Sequence, residues 1–296
     1  MISLQSFQKR LTSELDKIEA AILDLWQKSE IEEFRSNPHS LFSMMVHPYD
    51  WRTLPIEHRA GQAKLLSLYQ HWYELFYRCH AKHSSDMRDS IDEINTYILA
   101  AIELKSNWST AATFEENRNL LSQKISFFRS LLAQHASEET LFVLVPDTNA
   151  LLKSPDASQY CEVIESTAFR FVIVPTVLAE LDGLKRSRTN QPLGEKAERA
   201  IRVIKGLRRQ GSVLEGVTVA KTITVQMIPT EPRMADLPSW LDPNNQDDRI
   251  IGCILEIQCS QPSAVVVLVT DDMNLQNKAE MAFLPWAEPP ELRQTV

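Results

Sequence analysis

The chain has 296 residues, 44% of them apolar, with a net charge of −8 and a pI near 5.5. That length holds one large domain or two ordinary ones, and the apolar content excludes wholesale disorder. The negative charge excludes a binder held to nucleic acid by a global positive field, but not an enzyme with a local basic track. No apolar run reaches a membrane span and the first residues lack a signal-peptide core, so no membrane partner and a cytoplasmic location are expected. None of the four cysteines, Cys79, Cys161, Cys253 and Cys259, forms a CxxC pair. They are expected to be reduced and mostly buried.

Composition changes near residue 140, with all seven histidines and one glycine, Gly61, before it. Two domains are expected, 1–138 and 139–296. Residues 3 to 34 carry Leu4, Phe7, Leu11, Leu15, Ile18, Ile22 and Leu25 at three- and four-residue steps, one apolar stripe on a long helix. Asn37-Pro38 is the expected stop, and 39 to 55 is expected to be a packed connector. Further helices are expected at 56–81, 86–105 and 114–135, giving an antiparallel all-α bundle. From 141 the pattern alternates. Strands are expected at Leu141–Val145, Phe169–Val174, within Val217–Ile228, and at Ala264–Val269. Helices are expected around 156–167, from Pro175, at 194–210, at 247–258 and from Asn274. Such alternation predicts an α/β fold, a parallel sheet flanked by helices, with a site beyond the carboxyl ends of the strands.

Acidic residues recur where these strands end. They are Asp147 in VLVPDTNALL, Glu180 in PTVLAELDGLK, Asp247 and Asp248 in NNQDDRII, and Asp271 and Asp272 in VTDDMNLQNKA. Each has an ordinary explanation as a turn or helix-capping carboxylate. Four recurrences favour convergence on a hard cation, because Mg²⁺ and Mn²⁺ prefer oxygen ligands. Asp182 lies about 200° around the helix from Glu180, so the two cannot face one site. Asp247 or Asn245 is expected to cap the helix while Asp248 faces the cluster, and one of Asp271 and Asp272 to cap the next helix.

In order and in context, these four motifs resemble those of the PIN-domain nucleases, over about the last 155 residues. The helical half resembles no family. The resemblance implies a PIN-like domain acting as a metal-dependent endoribonuclease. It would cleave phosphodiester bonds of single-stranded RNA with water activated by Mg²⁺ or Mn²⁺, leaving a 5′-phosphate and a 3′-hydroxyl. It also implies the catalytic and metal-binding set Asp147, Glu180, Asp248 and Asp272, with Asp247 and Asp271 as second choices. Thr148 and Asn149 would buttress the first aspartate, and Asn274 is a candidate support for the fourth acid.

The substrate needs positive charge near such a pocket. Residues 185 to 209 supply it, with Lys185, Arg186, Arg188, Lys196, Arg199 and Arg202 as candidate phosphate contacts; the alternative is an ordinary solvated helix face. SRTNQP and Gly194 read as a mobile loop. No histidine follows residue 135, so this half cannot use histidine as acid and base. In the helical half, Cys79, His80 and His83 lack zinc spacing, and buried aromatics with polar tips at solvent are expected there instead. The bundle is a candidate for recruiting RNA or a protein partner, forming a homo-oligomer, or covering the active site. The rival readings are a structure-selective DNA nuclease and a catalytically silent PIN scaffold. A phosphatase with an aspartyl nucleophile would want a second Asp where Asn149 stands.

Overall fold

The computed structural model describes residues 4–33, 49–105, 110–137, 139–187, 190–220, 222–233 and 237–291. Two compact units emerge. One is Leu11–His135, and the other joins the residues up to Arg10 with those from Ala136 onward.

The first unit is built on four helices, α1 (Phe7–Trp26), α2 (Ile56–His80), α3 (Ser85–Glu103) and α4 (Phe114–Ala133). The stripe on α1 is buried from Phe7 to Leu25, whereas Leu4 is exposed and lies outside the helix. The helix stops at Trp26, earlier than expected, because the apolar period ends at Leu25. Ile31–Glu33 (β1) instead pairs antiparallel with Tyr49–Trp51 (β2), which brings Trp51 to stack on Trp26 at 5.0 Å. The expected stop at Asn37-Pro38 lies outside the described residues.

Aromatic packing and a few polar anchors hold these helices together. Trp72 stacks on Phe76 at 4.9 Å and meets Phe128 at 5.7 Å. A buried indole N–H without an acceptor costs about 1–3 kcal/mol. Trp72 avoids this by donating to the Leu11 carbonyl, and Trp26 by donating to the Ala101 carbonyl, both at 2.9 Å. Arg129 on α4 reaches Asp16 and Glu19 on α1, and a capping box of Thr113 and Glu116 starts α4.

His80 is not a polar tip at solvent, as expected, but is 1% exposed. It stacks on Phe76 at 4.3 Å and on His83 at 5.3 Å, and meets His135 at 5.6 Å. Burial, with some help from the other two histidines, pushes its pKa down to about 4, so it is neutral at pH 7. None of the four cysteines is in a disulfide, but only Cys253 is buried, with its thiol pushed up to about 12 by desolvation. Among the described residues no helix is long and apolar enough to cross a membrane.

The second unit is α/β. In chain order it contains β3 (Phe142–Pro146), α5 (Thr148–Lys153), a 3₁₀ turn (Ala157–Glu162), β4 (Phe169–Ile173) and α6 (Pro175–Arg186). Then come α7 (Gln191–Arg208), β5 (Val217–Ala220), β6 (Ile223–Met227), α8 (Gln246–Ser260), β7 (Val265–Val269), α9 (Met273–Met281) and β8 (Trp286–Ala287). The six strands form one sheet in the order β5-β6-β4-β3-β7-β8, helix-flanked and mostly parallel. The one antiparallel edge arises because Val217–Ile228 holds two strands rather than one.

The helix expected at 156–167 is replaced by the earlier α5 and the 3₁₀ turn. Asp147 caps α5, and the buried Tyr160 hydroxyl donates to the Ala150 and Ser154 carbonyls, fixing the turn beneath it. Gly194 lies inside α7 rather than in a loop, since Asn190 caps that helix and Pro192 fits its first turn. The core strand β7 is buried at every position, as a strand covered on both faces must be.

Phe128 is fully buried against Trp72 and Phe76. Phe128→Ala should therefore destabilise the helical unit by about 3–5 kcal/mol, read from its urea midpoint by far-UV circular dichroism.

Candidate functional site

The chain passes from β3 to β4 and β6 on one side, then returns through β7 on the other side of β3. That reversal opens a crevice at the carboxyl ends of β3 and β7. The two strands pair in parallel with Pro146 opposite Val269, so Asp147 and Thr270 leave the sheet at the same level. The Asp147 N–H donates to the Val269 carbonyl at 3.0 Å. Its side chain is 4% exposed and holds two bonds, accepting from Ala150 N–H at 2.6 Å and from the Thr270 hydroxyl at 2.5 Å. Burial raises the Asp147 pKa to about 6; the two hydrogen bonds oppose this, and the nearby charges of Asp271 and Asp272 add to it.

Glu180 sits on α6, which follows β4, the other neighbour of β3. Its carboxylate accepts from the Thr148 hydroxyl at 2.6 Å. Thr148 thus buttresses Glu180 and not Asp147, Asn149 is exposed, and the hydroxyl that holds Asp147 belongs to Thr270. Asp182 is exposed while Glu180 is half-buried, as their opposite helical faces require.

Asn245 caps α8 by accepting from the N–H groups of Asp247 and Asp248, which leaves both carboxylates for other partners. Asp248 is 6% exposed. Its Oδ2 accepts from the Asp242 N–H at 2.8 Å. Its Oδ1 is buried with no hydrogen bond of good geometry, and Lys278 Nζ stands 2.6 Å away. The same ammonium lies 3.8 Å from Asp247. Burial raises the Asp247 pKa, Lys278 opposes, and Asp272 and Asp248 add to the rise.

Asp272 caps α9 through the N–H groups of Asn274 and Leu275 at 2.7 and 3.1 Å, so Asn274 meets it through its backbone. Asp271 is exposed and pairs with Lys153. Asp272 is close enough to act electrostatically on both Asp147 and Asp247. Sequence reading missed Lys153, Lys278 and Thr270. Thr270 opens the TDD run, Lys278 lies on the helix that follows it and Lys153 ends the PDTN helix, but nothing local in the sequence pairs them with these acids.

Among the described residues no three Asp, Glu, His or Cys side chains stand close enough together to cage a metal ion. The donor chemistry nevertheless suits a hard divalent cation. Every candidate ligand is a carboxylate oxygen, one of them buried and short of a hydrogen bond, and the cluster carries more negative than positive charge.

α7 packs on α6 and buries Ala197, Ala200, Ile201, Ile204 and Leu207. Lys196, Arg199, Arg202, Lys205 and Arg208 are exposed, as are Lys185 and Arg186 at the end of α6. Among the described residues only Arg202 of the α7 face has a carboxylate near, Glu198 at 3.8 Å. Arg188 lies outside the described residues.

Residues 144–286 match the PIN domain family. The chain is also similar to the Transcriptional protein SWT1 of Homo sapiens, with 28% identity over 151 residues that cover 49% of this chain and 15% of that protein. The match runs from within β3 to the start of β8 and includes Asp147, Glu180, Asp247, Asp248, Asp271 and Asp272. Over residues 144–286 the chain is therefore a member of the PIN-domain family, with the nuclease-like fold of that family.

Proposed function

We propose that this protein is a divalent-metal-dependent endoribonuclease that cleaves single-stranded RNA, using Mg²⁺ or Mn²⁺. The observation that carries this reading is Asp147, a buried carboxylate at the strand crevice whose pKa is raised to about 6 beside other acids. A site that gathers negative charge in a dry place stores unfavourable energy unless a cation joins it. Asp147, Glu180, Asp248 and Asp272 would hold the ion, with Asp247 and Asp271 at the margin. When bound, a divalent ion supplies charge neutralisation at the phosphate and a more acidic water. Thr270 and Thr148 keep Asp147 and Glu180 oriented. Lys278 holds the Asp248 carboxylate in place from the α9 side.

The exposed basic face of α7, with Lys185 and Arg186, supplies the track for the RNA backbone. An extended single strand suits a narrow acidic crevice better than a duplex does. Four cysteines outside any disulfide agree with a reducing compartment, and the cytoplasm is the location proposed.

One observation favours a catalytically silent scaffold. Lys278 and Lys153 each pair with a carboxylate of the acidic cluster. Cleavage assays separate the two readings. With labelled single-stranded RNA and Mn²⁺, Asp147→Asn should lose at least about 100-fold in rate. Equal rates in wild type and variant would assign the cleavage to a contaminant, and no cleavage in either would favour the scaffold. Cleavage of structured DNA in preference to RNA would move the substrate to DNA.

The basic track has its own signature. Arg199→Ala/Arg202→Ala should weaken RNA binding and flatten the dependence of log K on log salt by about 1.4, the change expected when two phosphate contacts to a single strand are lost.

The pH dependence has a definite sign. Folded metal-free protein keeps a proton on Asp147 up to about pH 6, whereas an unfolded Asp keeps one only to about 3.9. The metal-free protein should therefore lose stability as pH rises through this window. Mn²⁺ binding should release a proton at pH 5.5 and release much less at pH 8. Calorimetry in buffers of different ionisation heat measures both.

A further inference from the structure

Among its described residues the segment between β6 and α8 holds no helix or strand, yet it is fastened at several points. Glu231 is its first anchor. Its Oε1 accepts from the Thr176 hydroxyl at 2.8 Å and from Arg249 Nη2 at 2.6 Å, and its Oε2 accepts from Arg249 Nε at 2.9 Å. This is the two-pronged fork that holds a guanidinium and a carboxylate in one fixed geometry. Further along, the Leu237 side chain lies where a Cβ on Gly252 would be, within 2.7 Å. The Asp242 N–H then donates to Asp248 Oδ2 at 2.8 Å. The strap is therefore bolted along the first turns of α8, at residues 248, 249 and 252.

The partners of Glu231 are placed with consequence. Thr176 is 2% exposed and lies on α6 one helical turn before Glu180, on the same face. Arg249 follows Asp248 on α8. One carboxylate thus bridges the two helices that carry two of the acidic candidates, α6 after β4 and α8 between β6 and β7. An exposed ion pair contributes little to stability. This one is mostly shielded, bidentate and shared with a buried hydroxyl, so its main effect is to hold a geometry.

We propose that Glu231 is a positioning residue. Together with Arg249 and Thr176 it fixes the separation of α6 from α8, and through it the separation of Glu180 from Asp248. The inference rests on the metal-site reading above, and it assigns Glu231 no contact with metal or substrate.

The test uses the full chain with Glu231→Gln, which keeps the shape but turns an amide toward Arg249. Thr176→Val is the second variant, since it cuts only the α6 limb and leaves the Arg249 fork intact. Two quantities are read below the unfolding temperature: hydrogen exchange of the first turns of α6 and α8, and Mn²⁺ affinity by titration calorimetry. Glu231→Gln should speed exchange in both turns and weaken Mn²⁺ affinity by about 10-fold, the scale of loss when a group that orients a ligand is removed. Thr176→Val should act in the same direction and less strongly. Affinity for RNA without metal should not change, because the basic face is untouched.

Unchanged exchange in Glu231→Gln would overturn the clamp. Faster exchange with wild-type Mn²⁺ affinity would reduce Glu231 to a structural residue and overturn the positioning role. A wild-type protein that binds no Mn²⁺ would sink the metal-site reading and this inference together, whereas wild-type binding that both variants keep would sink this inference alone.

Discussion

The bond between the Thr270 hydroxyl and Asp147 joins residues 123 apart in the chain, and the acidic site depends on it. It exists because β3 and β7 pair in parallel and in register, with Pro146 opposite Val269. A slip of one residue would turn every side chain of β7 to the other face and separate the hydroxyl from the carboxylate. Continuous burial of β7 makes such a slip costly, since all five of its residues would exchange surroundings. The hydrophobic pairing of two strands therefore sets the position of a charged group.

Asp147 is held where its charge is disfavoured, and the rest of the cluster manages that cost. Two hydrogen bonds favour its ionised form, while burial and the charges of Asp271 and Asp272 oppose it. Lys278 lies between Asp247 and Asp248, and Lys153 engages Asp271. Side-chain cations thus pair with acids of the cluster. A lysine ammonium is a point charge on a flexible stem, so it can neutralise a carboxylate without imposing a coordination geometry.

The helical unit follows a different logic. Its stability comes from stacked aromatic rings and from indole N–H groups that find backbone acceptors on neighbouring helices. His80, His83 and His135 gather at its edge without forming a metal cage among the described residues, and burial keeps His80 neutral. Its chemistry is mainly that of packing.

Much of this was legible in one dimension. The three- and four-residue period of Leu11, Leu15, Ile18 and Ile22 fixed α1, because a helix must bury one face. The β-branched run Val265–Val269 fixed a covered strand for the same reason. Asp147, Glu180, Asp248 and Asp272 could be named as candidates from their places after strands and at helix starts. Their partners could not. Thr148 looked like a support for its neighbour Asp147 and instead reaches Glu180, 32 residues away. Lys278, Thr270 and Glu231 carry no mark of their own, because a hydrogen bond between distant residues leaves no period in the sequence. Local periodicity and capping are short-range physics, so the chain by itself determined most of its helices, its core strands and its acidic residues, though not α5, β1, β2 or β8. Register and helix packing act over long range, so only the tertiary structure decided which hydroxyl holds which carboxylate and which lysine balances it.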